Sequence, residues 1–436
     1  MSSLRQVVRW GAQHGAVSAA VRRAARQGDL YALSLVDPAH RVDPYPLYDR
    51  VRAQGPLLAG ALGHVTASHA VVGEIVRRED LRMDGDEEAL PAPFGRLLRW
   101  ARDRSKFGPV DPPSLLAVEP PDHTRYRRLV SRVFTARAVE ALRPRVQEVA
   151  DELLDDLAGR PEIDLIPAYA SRLPITVISE LLSVPPQERE RVRDYGRRGA
   201  PSLDMALSWP QYRNMDDAVR GFSDWLDGHL ARLRREPDDG LLSQLVRLEE
   251  DGQGLDHSEL RAVAGLVLVA GFETTVNLLG TGAALLLEHP EQLDRLRADP
   301  ALWPTAVDEL LRHDSPVQLT ARVAAEDTEL AGLPLRQGSL VLALIGGANR
   351  DPEVFDDPAA LDVTRANARD HLSFSGGRHY CLGAALARLE GEVGLRALLD
   401  RYPDLSLLPG GRRTTTQVLR GWESLPVSPG VPTIPL

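Results

Sequence analysis

His371-Leu-Ser-Phe-Ser-Gly-Gly-Arg-His-Tyr-Cys-Leu-Gly383 holds the only cysteine of the chain, and its reading decides the fold. A lone cysteine is by default a buried small hydrophobe. Here Cys381 follows Gly376 and Gly377, stands beside Arg378 and His379, and opens an apolar helical pattern that runs to about Leu399. Helix N-termini and neighbouring cations lower the pKa of a thiol, so the stretch reads as a loop that presents a thiolate. One cysteine excludes an intramolecular disulfide, a four-cysteine zinc site and a cysteine-bound iron–sulfur cluster, and an intracellular, reducing location fits it.

A single thiolate suits one axial position on haem iron, where it pushes electron density toward O–O cleavage. The competing reading is a nucleophilic cysteine, which needs a poised base. His379 is only two residues away and need not face the thiol, and no oxyanion-hole signature accompanies it.

Working outward, a long helical pattern starts at Asp256, with Glu259 three residues on as a capping-box partner, and runs to His289 before Pro290. That is roughly thirty residues, about 50 Å of helix at ~1.5 Å per residue, and so apolar a helix must cross the middle of a large domain. Inside it, Ala270-Gly-Phe-Glu-Thr-Thr275 breaks local rules, with glycine, β-branched threonine and a carboxylate in an apolar run. Such failures cluster at functional sites; the plain alternative is a packing glycine and a solvent-facing glutamate. Glu309-Leu-Leu-Arg312 can pair on one helix face, as can His123 and Arg127 within His123-Thr-Arg-Tyr-Arg-Arg128. By default both are surface features.

The remainder is a mainly helical chain of 436 residues with a small sheet. Helices are expected over Arg137–Leu157, interrupted near Pro144, and over Ala218–Leu233; short strands over Val317–Leu344; irregular coil over Asn349–Arg369. The net charge of −10 argues against general nucleic-acid binding. The most apolar stretch, Ala262–Leu287, carries Glu273 and reads as a buried helix, so no transmembrane segment is expected. Residues 1–30 hold several arginines without a secretory-signal pattern. A loosely attached, solvated helix is favoured there over a membrane-surface or partner helix.

Phe374, Gly377, His379, Cys381 and Gly383 satisfy an F-x-x-G-x-[HR]-x-C-x-G pattern, which resembles the cysteine-loop signature of the cytochrome P450 family. The resemblance runs from about Asp43-Pro-Tyr-Pro to Leu425-Pro-Val427, leaving residues 1–42 as an N-terminal extension and 43–436 as one large α+β domain, mainly α with minor β. It implies haem b with Cys381 as the iron ligand, Phe374 covering its proximal side, and propionate contacts from His123, Arg127, Arg322 and His379. Arg128 would face elsewhere, and Ser375 stands where many bacterial members have glycine. Glu273 and Thr274 would be the acid–alcohol pair, with the helix distorted there to make room for dioxygen. Glu309 and Arg312 would form a buried network with Arg350 or Arg365, the match continuing through Asn349-Arg-Asp-Pro352 and Phe355. Pocket residues would be Leu266, Val269, Ala270, Gln318, Leu319, Val418 and Leu419, with Leu90–Lys106 and Pro185–Tyr212 as the lid.

The activity implied is that of a soluble, cytoplasmic, bacterial-type monooxygenase, most simply a hydroxylase of a hydrophobic small molecule, with secondary metabolism as its setting. Electrons would come ultimately from NAD(P)H through a ferredoxin or flavodoxin and its reductase, docking near Arg378 and Arg388; a monomer is expected. The alternatives are a haem-binding sensor or docking protein without turnover, and a peroxide-driven enzyme. Retention of Glu273 and Thr274 argues against both.

Overall fold

A computed structural model describes residues 3–83, 108–109, 111–131, 134–250 and 254–433. The chain opens with α1 (Ser3–Trp10), a π-helical turn at Gly11–Gly15 and α2 (Ala16–Arg26), which together make a nearly unbroken rod. Then come α3 (Leu30–Val36), α4 (Pro38–Val42), α5 (Tyr45–Ala53), the hairpin β1 (Leu58–Gly60)–β2 (Gly63–Thr66), α6 (His69–Ile75) and β3 (Leu81–Arg82). After α7 (Asp122–Val130), the expected break near Pro144 separates α8 (Ala136–Glu140) from α9 (Arg143–Asp155). Pro144 lies in the first turn of α9, where a missing N–H costs nothing.

β4 (Ile163–Asp164) leads to α10 (Arg172–Leu181), α11 (Arg189–Gly199), α12 (Trp209–Arg235) and α13 (Leu241–Glu250). The central α14 spans His257–Glu288 and begins with the expected capping box: the Asp256 carboxylate accepts from Glu259 N–H, and the Glu259 carboxylate accepts from Asp256 N–H. It is long and apolar enough to cross a membrane, yet most of it is buried inside the fold. α15 (Pro290–Ala298) and α16 (Trp303–His313) follow, then β5 (Thr320–Ala324), β6 (Thr328–Leu330), β7 (Leu333–Leu335), β8 (Leu340–Ala343) and the short α17 (Ile345–Ala348). The irregular stretch to Arg369 is as expected. α18 covers Ala384–Arg401, three residues later than the sequence pattern implies, because Cys381 and Leu382 sit in the turn ahead of the N-cap Gly383. Short strands β9 (Ser406–Leu407), β10 (Arg412–Arg413), β11 (Trp422–Ser424) and β12 (Pro426–Ser428) close the chain.

The main sheet has the order β1-β2-β8-β5-β3, with β2 and β8 parallel and the other pairs antiparallel. A helical core surrounds α14, where α10 and α18 supply Leu173, Ile178, Leu395 and Leu398 against Leu278, Leu279 and Ala283.

The first forty residues correct an expectation. They are not loosely attached: Val21, Tyr31 and Leu35 are fully buried with Leu47, Val65, Leu342 and Leu344 in a second core beneath the sheet. Each such side chain contributes about 1.5–3 kcal/mol. An arginine-rich outer face masks this inner stripe in the sequence. Trp10 pins the rod elsewhere: its indole N–H donates to the Leu207 carbonyl at 2.9 Å, and its ring packs edge-on against Trp209.

Candidate active site

The cysteine loop is held from behind by α16. Glu309 is fully buried; its carboxylate accepts from Arg312 Nε and Nη2 at 2.7 and 2.8 Å and from Arg365 Nε at 3.1 and 3.2 Å. Arg365 therefore supplies the third group of the network. Arg350 instead stacks on Tyr45, 3.4 Å from its ring centroid, and donates to the His313 carbonyl.

One residue earlier, Asp308 is equally buried and draws in Arg388 Nε at 2.7 Å, Arg369 Nε at 3.1 Å and His371 Nε2 at 3.2 Å. Arg388 also lies 4.5 Å over the Phe374 ring, and Phe374 is buried against the same core. Asp308 thus ties α16 to the loop at His371 and to α18 at Arg388, while Glu309 ties the same helix to the coil at Asp362 and Arg365.

Two glycines of the loop are used differently. Gly377 has φ +60°, and a Cβ there would meet the Val76 carbonyl at 2.6 Å. Around Gly383 no atom lies within 4 Å of where a Cβ would be. Ser375 also takes a left-handed φ of 60°, and its buried hydroxyl has no hydrogen-bond partner. Left-handed backbone costs an L-residue about 1–2 kcal/mol that glycine would not incur.

Cys381 presents accessible surface, yet protein mass around it pushes its thiol pKa up. The two observations agree because the exposed face looks inward. Burial outweighs the opposing pull of Gly383 N–H, Arg127 and Arg388. This corrects the sequence argument that loop cations and a helix start lower the thiol pKa. Arg378 is engaged with Glu119 at 2.6 Å, and burial holds His379 near 4, uncharged at neutral pH. A thiolate here needs an added cation, as metal ligation provides.

Ala270 is the exposed residue of an otherwise enclosed stretch of α14, with Leu266, Val269, Glu273 and Thr274 partly exposed beside it. This places a lined interior face on the same helix turns that the sequence singles out. The helix is continuous through Thr275, contrary to the expected distortion. The Thr274 hydroxyl donates back to the Ala270 carbonyl at 3.0 Å, which satisfies both groups without a break. Glu273 does not point to solvent: burial raises its pKa to about 7, with Arg197 and Arg193 of α11 pulling it down.

A group of donors converges beside the loop without ordinary partners. His123 and Arg322 are each 3% exposed. Among the described residues, Nε2 of both His123 and His379 lacks a hydrogen bond, and the two rings lie 4.7 Å apart. Arg322 donates, among the described residues, only to Thr320 and Ala321 of its own strand, and burial lowers it to about 10. Arg127 has no ion pair among the described residues, and burial lowers its pKa while Cys381 raises it. Glu119 is the one described carboxylate close by, 3.6 Å from His379. Buried donors are normally paired, so this set fits a ligand carrying more than one anionic group. With an inward thiol, an open Gly383 and two imidazoles, that chemistry fits haem and its propionates. Arg128 is exposed and faces away, as expected.

The remaining residues expected in the pocket and lid are placed less uniformly. Gln318 is 3% exposed and locked in the second core: its Nε2 donates to the Ser315 carbonyl and its Oε1 accepts from Tyr48 at 3.2 Å. It therefore lines no open space, a correction caused by the tight packing of Gly346 against it. Leu319 and Val418 belong to that same core, and Leu419 bridges Val317. Of the two lid segments, Leu90–Lys106 lies outside the described residues. Within Pro185–Tyr212, Asp204 accepts from the Gln417 and Val418 backbone N–H groups at 2.9 and 3.1 Å, and Gln417 exchanges two hydrogen bonds with Met205. The proximal cations Arg378 and Arg388 are already paired; Arg369 projects furthest, its side chain 73% exposed.

Sequence reasoning passed over Asp308, Asp204 and Glu390. Glu390 on α18 is 1% exposed with neither oxygen hydrogen-bonded, and burial raises it to about 8 against a weak opposing effect of the Thr275 hydroxyl. The signal was present: an acid inside an apolar helical run, the same feature that marks Glu273.

Comparison with known proteins agrees with this geometry. Residues 301–419 match the family model described as Cytochrome P450. The chain is 50% identical over 434 residues to "Putative cytochrome P450 140" of Mycobacterium tuberculosis, covering 98% of each. It is 45% identical over 315 residues to 6-deoxyerythronolide B hydroxylase of Saccharopolyspora erythraea, covering 71% of this chain and 76% of that protein. The crystal structure of P450BioI in complex with an acyl carrier protein ligated to hexadec-9Z-enoic acid superposes with a TM-score of 0.82 at 32% identity, covering 89% of this chain and 99% of that one. The chain belongs to the cytochrome P450 family. Its activity is that of the class, a haem-thiolate monooxygenase that uses dioxygen and electrons from redox partners.

Proposed function

We propose that Cys381 ligates the iron of haem b, that His123, Arg127, Arg322 and His379 receive its propionates, and that residues 43–436 form the monooxygenase unit with 1–42 as a docked arm. The observation that carries this reading is the convergence of His123, Arg127, Arg322 and His379 beside the Cys381 thiol, with the Nε2 atoms of both imidazoles unpartnered among the described residues. Phe374 and Gly377 shape the loop, Gly383 leaves room beside the sulfur, and the Glu309–Arg312–Arg365 network keeps it in place.

When bound, haem supplies reductive activation of dioxygen. The chain's own part is to hold the thiol, exclude bulk water and deliver protons. Glu273, poised near 7, gives up and regains a proton at neutral pH. Thr274 can turn its hydroxyl from the Ala270 carbonyl toward the interior face and pass that proton on. Leu266, Val269 and Ala270 present apolar surface beside this pair, which fits a hydrophobic substrate. The names of the relatives, a macrolide-ring hydroxylase and a fatty-acyl-binding enzyme, point the same way. A polyketide or acyl substrate, hydroxylated by a cytoplasmic monomer, is the reading we favour. Electrons come from NAD(P)H through a reductase and a ferredoxin or flavodoxin.

The deciding experiment is the absorbance spectrum of the dithionite-reduced protein under carbon monoxide. A strongly red-shifted Soret band that disappears in Cys381→Ala supports the assignment. A band typical of a neutral ligand in fresh protein, or one unchanged in the variant, removes Cys381 as the ligand.

A further inference from the structure

The first 28 residues contain five arginines and no acid, in a chain whose formal net charge is −10. The rest of the molecule therefore carries fifteen net negative charges, while the arm itself is purely basic. The arm that bears the positive charge is a rod of roughly 36 Å at ~1.5 Å per residue, from Ser3 to Arg26. It is rigidly displayed. Val21 and Ala24 anchor α2 in the second core, while Gln6 and Arg9 of α1 reach Asp216 on α12.

What remains on the outside is specific in kind. Arg22, Arg23 and Arg26 are exposed, and none has a carboxylate partner among the described residues. Ala19 and Ala20 lie between them, leaving the backbone rod close to whatever it meets. At the other end, Leu4 is 64% and Val7 43% exposed, with Arg5 on the same outer side. Protein–protein hot spots are aromatic or arginine anchors seated in pockets. The arm turns its one aromatic, Trp10, inward to Leu207 and Trp209, and offers outward arginines and aliphatics, with Gln13 the one exposed neutral polar side chain between its two ends. Arginine with aliphatic side chains along a rod is the composition of a helix that lies on an anionic lipid surface.

We propose that this N-terminal arm docks the enzyme on an anionic lipid surface. The acidic remainder is repelled by such a surface, so the charge asymmetry orients the molecule arm-first. That orientation brings the segment Leu207–Tyr212, packed against Trp10 and His14, close to the lipid. An apolar substrate dissolved in the bilayer then reaches the enzyme without crossing water.

The test is flotation of the haem-loaded full chain with phosphatidylglycerol vesicles, with pure phosphatidylcholine vesicles as the comparison. The expected result is capture by the anionic vesicles alone, lost in about 1 M salt, where screening acts within ~3 Å. Each arginine near an anionic surface is worth about a fivefold change in binding. The triple variant R22Q/R23Q/R26Q should therefore bind on the order of a hundredfold more weakly, and L4S/V7S several-fold more weakly. These side chains are exposed, so an unchanged Soret band and unchanged amide exchange in α3 confirm that both variants keep the fold. Equal capture by both vesicle types, no capture at low salt, or undiminished capture of the triple variant overturns the proposal. So does salt-sensitive binding of an acidic ferredoxin to the arm without vesicle binding, which would assign this face to a protein partner.

Discussion

Replacing Glu390 by glutamine should change how stability depends on pH, more than stability itself. Its carboxyl is buried on α18 facing Thr275 of α14, without a well-formed hydrogen bond among the described residues, and burial raises its pKa from 4.5 to about 8 despite the lowering effect of the Thr275 hydroxyl. In the unfolded chain it titrates near its ordinary value. Between about pH 4.5 and 8 the folded protein thus holds a proton that the unfolded chain has released. Stability from this group is complete below about 4.5 and drains away as pH climbs through 8. At about 1.4 kcal/mol per unit, the interval is worth a few kcal/mol. Glutamine is nearly isosteric and cannot ionise. Urea unfolding of both proteins at about pH 5 and about pH 8, with the holo state verified by its Soret band, isolates the effect, since all other groups are common to both. The stability of E390Q relative to the parent should improve by a few kcal/mol toward alkaline pH. Parallel pH profiles would refute the reasoning, showing that Glu390 carries the same charge folded and unfolded.

Glu309→Ala leaves two buried guanidinium groups without their carboxylate, at a cost of about 3–5 kcal/mol; the expected readout is a lower denaturation midpoint with poor haem retention, and full retention would contradict it. Ser375→Gly relieves a left-handed backbone but frees the unfolded chain, so a net gain of about 0.5–1 kcal/mol is expected as a rise in thermal midpoint. Gly196→Ala places a methyl group inside the Phe272 ring and should force α11 off α14, costing about 1–3 kcal/mol; faster amide exchange in α11 is the check. Asp204→Ala removes the acceptor of two backbone N–H groups and should loosen 200–208 and 414–419 together. If only one segment exchanges faster, the clasp is not mutual.

The helical frame was legible because its signals are local. Asp256 with Glu259 marks the start of α14, Pro144 marks a break, and Cys381 with its glycines marks a turn before a helix. The site was legible as far as residue type and spacing carry it: His123, Arg322, His379 and Cys381 do converge. Pairing was not legible. Nothing local says that Arg365 rather than Arg350 completes the Glu309 network, because that choice is made by the path of the coil between them. Nor could spacing show that burial outweighs the nearby cations at the Cys381 thiol, since desolvation depends on the whole surrounding mass. Gln318 was misread for a related reason: its neighbour Tyr48 lies far away in sequence, in a part of the chain assigned no role in the site.

The second core also has a temporal side. Val21, Tyr31 and Leu35 leave the ribosome roughly 300 residues before their partners Leu342 and Leu344. At ~5–20 residues per second, the wait is on the order of 15–60 s. Throughout it, Val21 on the arginine-rich α2 and Tyr31 and Leu35 on α3 lack the cover that Leu342 and Leu344 give them. Folding of this chain as it is synthesised therefore depends on what shields those side chains until Leu342 and Leu344 are made.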